Sequence, residues 1–457
     1  MKPNLAKALL SVLTAFTLSI SLQAQTTDLP WLSLFNGKSL DGWEQKGGNA
    51  KYSFENGILV GQTVASTPNS FLCTLNNFDD FILEFDVFLD RATNSGVQFR
   101  SHSNPDFLNG QVHGYQCEID PSDRKWSGGI YEEAFRGWLF PVKDDIIAQQ
   151  AFKMGQWNHY RIEAIGANIR TFINDIPVSN LEDDYTKSGF IALQVHSIGD
   201  KKEDEGIKIK WKNIRIITDR PEKYVLATTV PLKQNFNTLT KTELESGWKL
   251  LWDGKTSTGW KSSRSDAFPA NGWEMKNGIL SVVESDGAES SRGGDIVTTE
   301  NYGNFVLMVD FKLTQGANSG IKYFVDPTIN KQIGSAIGLE YQLLDDNVHP
   351  DAKLGRSVGI RTLASLYDLQ KAVNKAPNQI GEWNHAMIVS NKNHVEHWLN
   401  GVKVLEYERS SNDFRKLVSE SKYAAIPGFG EITEGPILLQ DHGNKVSFRN
   451  LKIKVTK

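Results

Sequence analysis

Apolar and polar residues alternate along most of this chain. In Phe81-Ile-Leu-Glu-Phe-Asp-Val-Phe-Leu89 every odd position is apolar, while Glu84 and Asp86 point the other way. Phe305–Leu313 repeats the pattern, with apolar residues at 305, 307, 309, 311 and 313, and Ile207–Lys212 and Leu451–Val455 follow it. A period of two puts successive side chains on opposite faces of an extended backbone, so each run predicts a strand with a buried face. Asn56-Gly57, Asn277-Gly278 and Asn400-Gly401 separate the runs and are hairpin signals. Helical spacing is confined to Leu363–Val373 and Asn412–Tyr423. Many short alternating strands with little helix predict an all-β protein built as an antiparallel sandwich.

The strands come in two sets. Leu34–Trp43 returns as Leu251–Trp260, Glu55–Leu59 as Lys276–Leu280, and Asn94-Ser-Gly96 as Asn318-Ser-Gly320. Gly155–His159 returns as Gly381–His385, and Ile191–Gln194 as Ile437–Gln440. A period of roughly 220 residues is too long for a solenoid unit, so the chain is read as two whole tandem domains. The expected division is 25–219 and 246–457, joined by a linker at 220–245 that carries Pro221 and Pro231. The offset between the copies jumps by about twenty residues before Gln440, which predicts an insertion comprising Asn412–Tyr423 and the Gly-rich Pro427–Gly435. Insertions in sandwich folds belong to loops, and loops carry function. Trp43, Trp260, Trp157 and Trp383 recur in both copies and are read as core anchors.

Met1–Ala24 has the form of a cleavable export signal. Lys2 and Lys7 precede an apolar core at Ala8–Leu22, and a small residue, Ala24, stands before the expected cut. That core falls short of the ~20 apolar residues of a spanning helix. The expectation is a periplasmic or secreted product with no membrane span. A formal net charge of −4 and the lack of a Lys/Arg stripe argue against nucleic acid as a partner. The two cysteines, Cys73 and Cys117, exclude a zinc–thiolate site. They are read either as a disulfide or as two buried thiols.

Polar side chains interrupt the strand pattern at related places. Gln116, Glu118 and Asp120 share one face of a strand in the first copy. In the second, Glu340 and Gln342 share the corresponding face, with Asp345 just beyond. Carboxylate and amide have exchanged places between the copies. Burying such groups is costly unless they pair or bind something, so a ligand-binding face competes with a solvated, ion-paired one. Arg100 ends the first Asn-Ser-Gly strand, where the second has Lys322 and Tyr323. His196 follows Gln194 as His442 follows Gln440, and the second copy adds His349 and Asp351. This convergence favours the second copy as the working one.

Taken together, Gly316–Val325, Glu340-Tyr-Gln342, His349–Ala352, Glu396–Gly401, Gly428-Phe-Gly430 and Gly435–His442 resemble the 3-keto-disaccharide hydrolase family, twice over nearly the whole chain. The first copy lacks the His-Pro-Asp loop and the Lys-Tyr pair. The resemblance implies a concanavalin-A-like jelly roll and cleavage of an oxidised glucoside, in which a C3 ketone acidifies the C2 proton and the enolate expels the C1 substituent. It implies Glu340 or His442 as base, Lys322 as partner of the developing oxyanion, and His349 with Asp351 as acid and orienter. Gln342, Tyr323, Gln440, Gln116, Glu118, Arg100 and His196 are the expected substrate-binding residues. A divalent metal ion on Glu340, Asp345 and His442 would do the same polarising work as Lys322.

Three other readings compete. A β-glucanase would need a Glu-x-Asp-x-x-Glu strand, which Glu118-Ile-Asp-Pro-Ser-Asp123 approaches but Pro121 interrupts. A tandem, non-catalytic carbohydrate-binding protein would gain from avidity. An oxidoreductase is disfavoured because no Gly-x-Gly-x-x-Gly joins a strand to a helix, so a separate sugar 3-dehydrogenase is implied upstream.

Overall fold

The computed structural model describes residues 29–285, 292–329 and 336–456; the expected export signal at Met1–Ala24 lies outside them. Each half forms two sheets. In the first half a nine-stranded sheet centres on Phe81–Leu89, held between Asn158–Ile165 and Lys208–Ile217. Its partner has seven strands and includes His113–Ile119, Ser95–His102, Phe190–Val195 and Ser70–Thr74 as consecutive neighbours. The second half repeats the plan. Phe305–Leu313 lies between Trp383–Asn391 and Val446–Val455 in an eight-stranded sheet. A five-stranded sheet runs from Trp260–Ser262 through Ile296–Thr298, Leu438–Leu439 and Asn318–Asp326 to Ile337–Leu344. The sandwich is all-β and antiparallel as the alternation predicts, apart from Leu181–Glu182, which runs parallel to the linker strand Lys233–Gln234.

The alternating residues fill the space between the sheets. Phe305, Leu307, Val309, Phe311 and Leu313 from one sheet meet Ile321, Tyr323, Leu339, Tyr341 and Leu343 from the other in a single buried cluster. Phe81, Leu83, Phe85, Val87 and Leu89 play the same part in the first half. Burial of these side chains contributes about 1.5–3 kcal/mol each. Trp43 and Trp260 are core anchors, as expected, and donate to the Leu34 and Leu251 carbonyls at 2.9 and 2.6 Å. Trp157 and Trp383 are not: they are half-buried, with Lys212 and Lys312 over their rings at 4.1 and 4.8 Å.

Leu363–Val373 is not helical. Gln342 N donates to Ser365 O at 3.1 Å, Ala364 N to Gln342 O at 2.8 Å, and Tyr367 N to Glu340 O at 3.0 Å. The segment therefore covers the edge of strand Ile337–Leu344, whose backbone groups would otherwise lack partners. Leu363, Leu366, Leu369 and Ala372 are buried by successive turns against the core, which imitates helical spacing. Asn412–Ser419 does form a helix, started by the Ser411 side chain accepting from Phe414 N at 3.1 Å. It belongs to the 409–437 connection, which replaces the short 183–189 connection of the first half. Cys73 and Cys117 are both free and belong to different clusters, the second in the main core.

The linker is bound rather than loose. Asn180 Nδ2 donates to Val230 O at 2.9 Å, and Thr240 caps the helix Lys241–Glu245 while donating to Arg136 O at 2.5 Å. The halves then dock through charges. The Asp184 carboxylate accepts from Arg449 Nη2 at 2.5 Å and its carbonyl lies 3.1 Å from His385 Nε2, while Glu243 pairs with Lys452. A cavity of about 430 Å³ lies between them, walled by Phe107, Phe135, Tyr185 and Trp398. None of the candidate catalytic, substrate-binding or metal-binding residues lines it.

Candidate functional site

Strand register decides which predicted residues meet. Gly320 lies opposite Gln342 and Lys322 opposite Glu340 on adjacent strands, and Gln440 N donates to Gly320 O at 3.0 Å. Lys322, Glu340, Gln342 and Gln440 thus share the sheet face turned away from the core, with the apolar cluster of Val297, Val325, Ala336 and Leu438 beside them. Lys322 Nζ is 3.7 Å from Glu340 Oε2 and donates to Ala336 O at 3.1 Å. Lys322 and Glu340 are 4 % and 5 % exposed, so water screens their attraction poorly. With its amide nitrogen toward Glu340, Gln342 donates to Oε1 at 3.0 Å and to Ser319 O at 3.1 Å. A Cβ on Gly320 would come within 2.3 Å of Glu340 Oε1, which accounts for the glycine of the Asn-Ser-Gly motif.

Tyr323 does not join Lys322. Adjacent residues on a strand face opposite sides, and Tyr323 points into the core, where its hydroxyl meets His397 Nε2 at 2.7 Å and Tyr407 Oη at 2.8 Å. Arg100 is corrected too. A bulge between Phe99 and His102, with Arg100 at φ 46°, turns its guanidinium onto the Asp79 and Gly166 carbonyls at 2.8 and 2.7 Å and Asp80 at 2.9 Å. There it anchors the fold, and its position in the repeat corresponds to Phe324. The residue matching Lys322 is Gln98, which lies opposite Gln116.

The His-Pro-Asp loop packs nearby. His349 and His442 face each other edge-on with ring centroids 6.2 Å apart. His349 Nδ1 accepts from Asp351 N at 3.2 Å, which leaves its proton on Nε2. Burial and the adjacent His442 hold the ring below the usual histidine pKa. The carboxylate of Asp351 does not orient His349: it accepts from Arg361 Nη1 at 2.9 Å and Tyr367 Oη at 2.7 Å. His442 Nδ1 is buried without a hydrogen-bond partner among the described residues.

Glu340, Asp345 and His442 do not fit a shared cation. The Asp345 oxygens accept from Gly316 N at 2.8 Å and Asn347 N at 3.1 Å, and Glu340, Asp345 and His442 do not form a group with ligand atoms within 4.8 Å of one another. Among the described residues, His394, Glu396 and Glu406 bring ligand atoms within 4.8 Å of one another, but Lys403 already lies 2.8 Å from Glu406. Gln116, Glu118 and His196 stand in the other half, far along the chain from this cluster. His196 Nδ1 meets the carbonyl of its neighbour Ser197 at 2.7 Å.

Sequence reasoning missed Lys422, whose ammonium lies 4.3 Å from the Tyr367 ring and is acted on by the charges of both Glu340 and Lys322. The inserted connection was the available signal for it. Tyr367 and Arg361 left none, because their roles arise from how the 345–373 segment folds back.

The molecule is therefore a tandem β-sandwich whose second half carries a buried lysine–carboxylate pair on the outer face of a sheet. Residues 30–217 and 247–454 both match the 3-keto-alpha-glucoside-1,2-lyase-like domain, and the chain belongs to that family. It is 36% identical over 229 residues to a 3-keto-disaccharide hydrolase of Bacteroides thetaiotaomicron, covering 46% of this chain and 78% of the relative. Two crystal structures from Parabacteroides distasonis, assigned as glycosyl hydrolases, are also similar. One is 33% identical (49% of this chain, 100% of that one, TM-score 0.43) and the other 27% identical (46% and 99%, TM-score 0.36).

Proposed function

We propose that the second half cleaves 3-keto-glucosides by eliminating the C1 substituent and adding water. The observation that carries this reading is the buried Lys322–Glu340 pair, 3.7 Å apart across two strands. The family match and the 3-keto-disaccharide hydrolase relative support the substrate class.

In this reading Glu340 removes the C2 proton, and the C2–H electron pair becomes the enolate of the C3 ketone. The negative charge passes from the Glu340 carboxylate to the enolate oxygen while the Lys322 ammonium stays in place. One fixed cation thus serves first the base and then the oxyanion, with little reorganisation. The enolate re-forms its carbonyl, the C1–O bond breaks, and the departing oxygen, hydrogen-bonded by His349 Nε2–H, takes up the proton that Glu340 removed from C2. Water then adds to C1 of the enone and a proton returns to C2. Gln342 and Gln440 orient the pyranose. The oxidised substrate has to come from a separate sugar oxidoreductase, and the signal-like Met1–Ala24 supports action outside the cytoplasm.

The test is incubation of the full chain in D₂O with methyl 3-keto-glucosides and with the unoxidised parents. Release of methanol and deuterium at C2 are expected from the ketones alone. Cleavage of the parents but not the ketones would overturn the proposal.

A further inference from the structure

The first half has rebuilt the same sheet face with different chemistry. Gln98 stands where the second half has Lys322, Gln116 where it has Glu340, and Glu118 where it has Gln342. The hydrogen bonds form a relay. Gln98 Nε2 donates to Gln116 Oε1 at 2.8 Å, Gln116 Nε2 to Glu118 Oε2 at 2.9 Å, and Asn94 Nδ2 to Glu118 Oε1 at 2.6 Å. A second carboxylate, Glu133, arrives from the next strand and accepts from Asn69 Nδ2 at 3.1 Å and Gln194 Nε2 at 3.3 Å. Gln194 lies opposite Gly96, which lies opposite Glu118, so its amide is on this same face.

Three features point to a ligand. Gln194 is 0 % exposed, yet its Oε1 has no hydrogen-bond partner among the described residues, a state that costs about 1–3 kcal/mol unless something fills it. The hydrogen-bond donors to Glu118 and Glu133 are all neutral amides, and Arg124, whose charge acts on Glu118, is itself paired with Asp120 at 2.7 Å. Each carboxylate oxygen keeps a lone pair beyond the one its amide occupies. Burial pushes Glu118 up to about 7 and also raises Glu133. On the same face the half-buried Tyr131 lies opposite Gln116 on the neighbouring strand, with Trp138 5.3 Å from its ring. An acceptor-rich floor beside aromatic rings matches a ligand with hydroxyl donors on its edge and C–H groups on its face. A second anion would be repelled.

We propose that the first half binds an uncharged, unoxidised pyranoside on this face, held by Gln98, Gln116, Glu118, Glu133 and Gln194 against Tyr131. Without an ammonium at the Lys322 position it has no partner there for an oxyanion, so it holds sugar without turning it over. The binding rests on the carbohydrate reading above, and the lack of turnover on its Lys322 mechanism.

Isothermal titration of the full chain with trehalose, maltose and cellobiose tests it, with glucuronic acid and Ca²⁺ as competing probes. Saturable binding of at least one disaccharide is expected, weakened at least tenfold by Tyr131→Ala and by the near-isosteric Glu118→Gln, each checked for an unchanged melting profile. Absence of heat with all three disaccharides overturns it. So does binding that neither variant alters, or tighter binding of glucuronic acid or Ca²⁺. Because these sugars carry no ketone, a chain that turns over 3-keto-glucosides but gives no heat sinks this inference alone. Sugar binding without turnover sinks only the catalytic reading.

Discussion

Lys322 and Tyr323 are neighbours in the chain with opposite fates, one beside Glu340 and the other bonded to His397 in the core. Their substitutions separate the two roles. Lys322→Met is expected to lower kcat by about 10²–10³, the usual effect of removing an oxyanion stabiliser, and also to lower the melting temperature, because the buried Glu340 loses the ammonium 3.7 Å away. Tyr323→Phe is expected to cost about 1–2 kcal/mol of stability through its two lost hydrogen bonds while leaving turnover as it was. Paired kinetics and thermal melts check this, and the reverse pattern would reverse the assignment of the two faces. Glu340 and Gln342 were legible from period two alone. Arg100 was not, because the bulge after Phe99 breaks that period at the residue in question.

Among the elements, the strand His394–Leu399 carries a buried histidine whose protonation is coupled to folding. His397 Nδ1 meets Ala364 O at 2.9 Å while Nε2 faces the Tyr323 hydroxyl, so the neutral ring is satisfied on both sides. Burial lowers its pKa to about 4 from an ordinary 6.5. On acidification the unfolded chain takes up this proton first. The contribution is therefore complete above pH 6.5, is lost progressively as pH falls toward 4, and amounts to about 3 kcal/mol. His397→Gln should flatten that part of the stability–pH curve relative to the parent. A difference between the two proteins that does not vary with pH would refute the coupling. The helical piece at Asn412–Ser419 could be read from its cap and spacing, whereas Leu363–Val373 could not. Its buried positions answer to an uncovered strand edge that lies some twenty residues earlier in the chain.

At the scale of the whole molecule, the halves share one set of charges. Asp310 accepts from His385 Nδ1 at 2.6 Å and Arg449 Nε at 3.2 Å, and Arg449 reaches across to Asp184. Asp86 and His159 form the corresponding 2.9 Å pair in the first half, where it faces outward. Duplication thus turned one surface pair into a docking point. Asp184→Ala removes Arg449's partner in the other half while Asp310 stays 3.2 Å from it, so the cost is expected to fall below the roughly 3–5 kcal/mol of an uncompensated buried charge. Differential scanning calorimetry is expected to resolve two unfolding transitions in this variant where the parent shows one. A single unshifted transition would show that docking does not depend on the pair.

Strand alternation, turn dipeptides and the repeated blocks are local properties of the chain. They were enough to determine the sandwich, its duplication, the place of the long insertion and the shared face of Glu340 and Gln342. Tertiary structure alone decided that Arg100 turns back into the fold, that Asp351 is taken by Arg361 and Tyr367, and that the insertion brings Lys422 to the site. The reason is physical. Register across strands and the partners of a buried charge depend on which distant segments pack together, and periodicity within one strand carries no record of that.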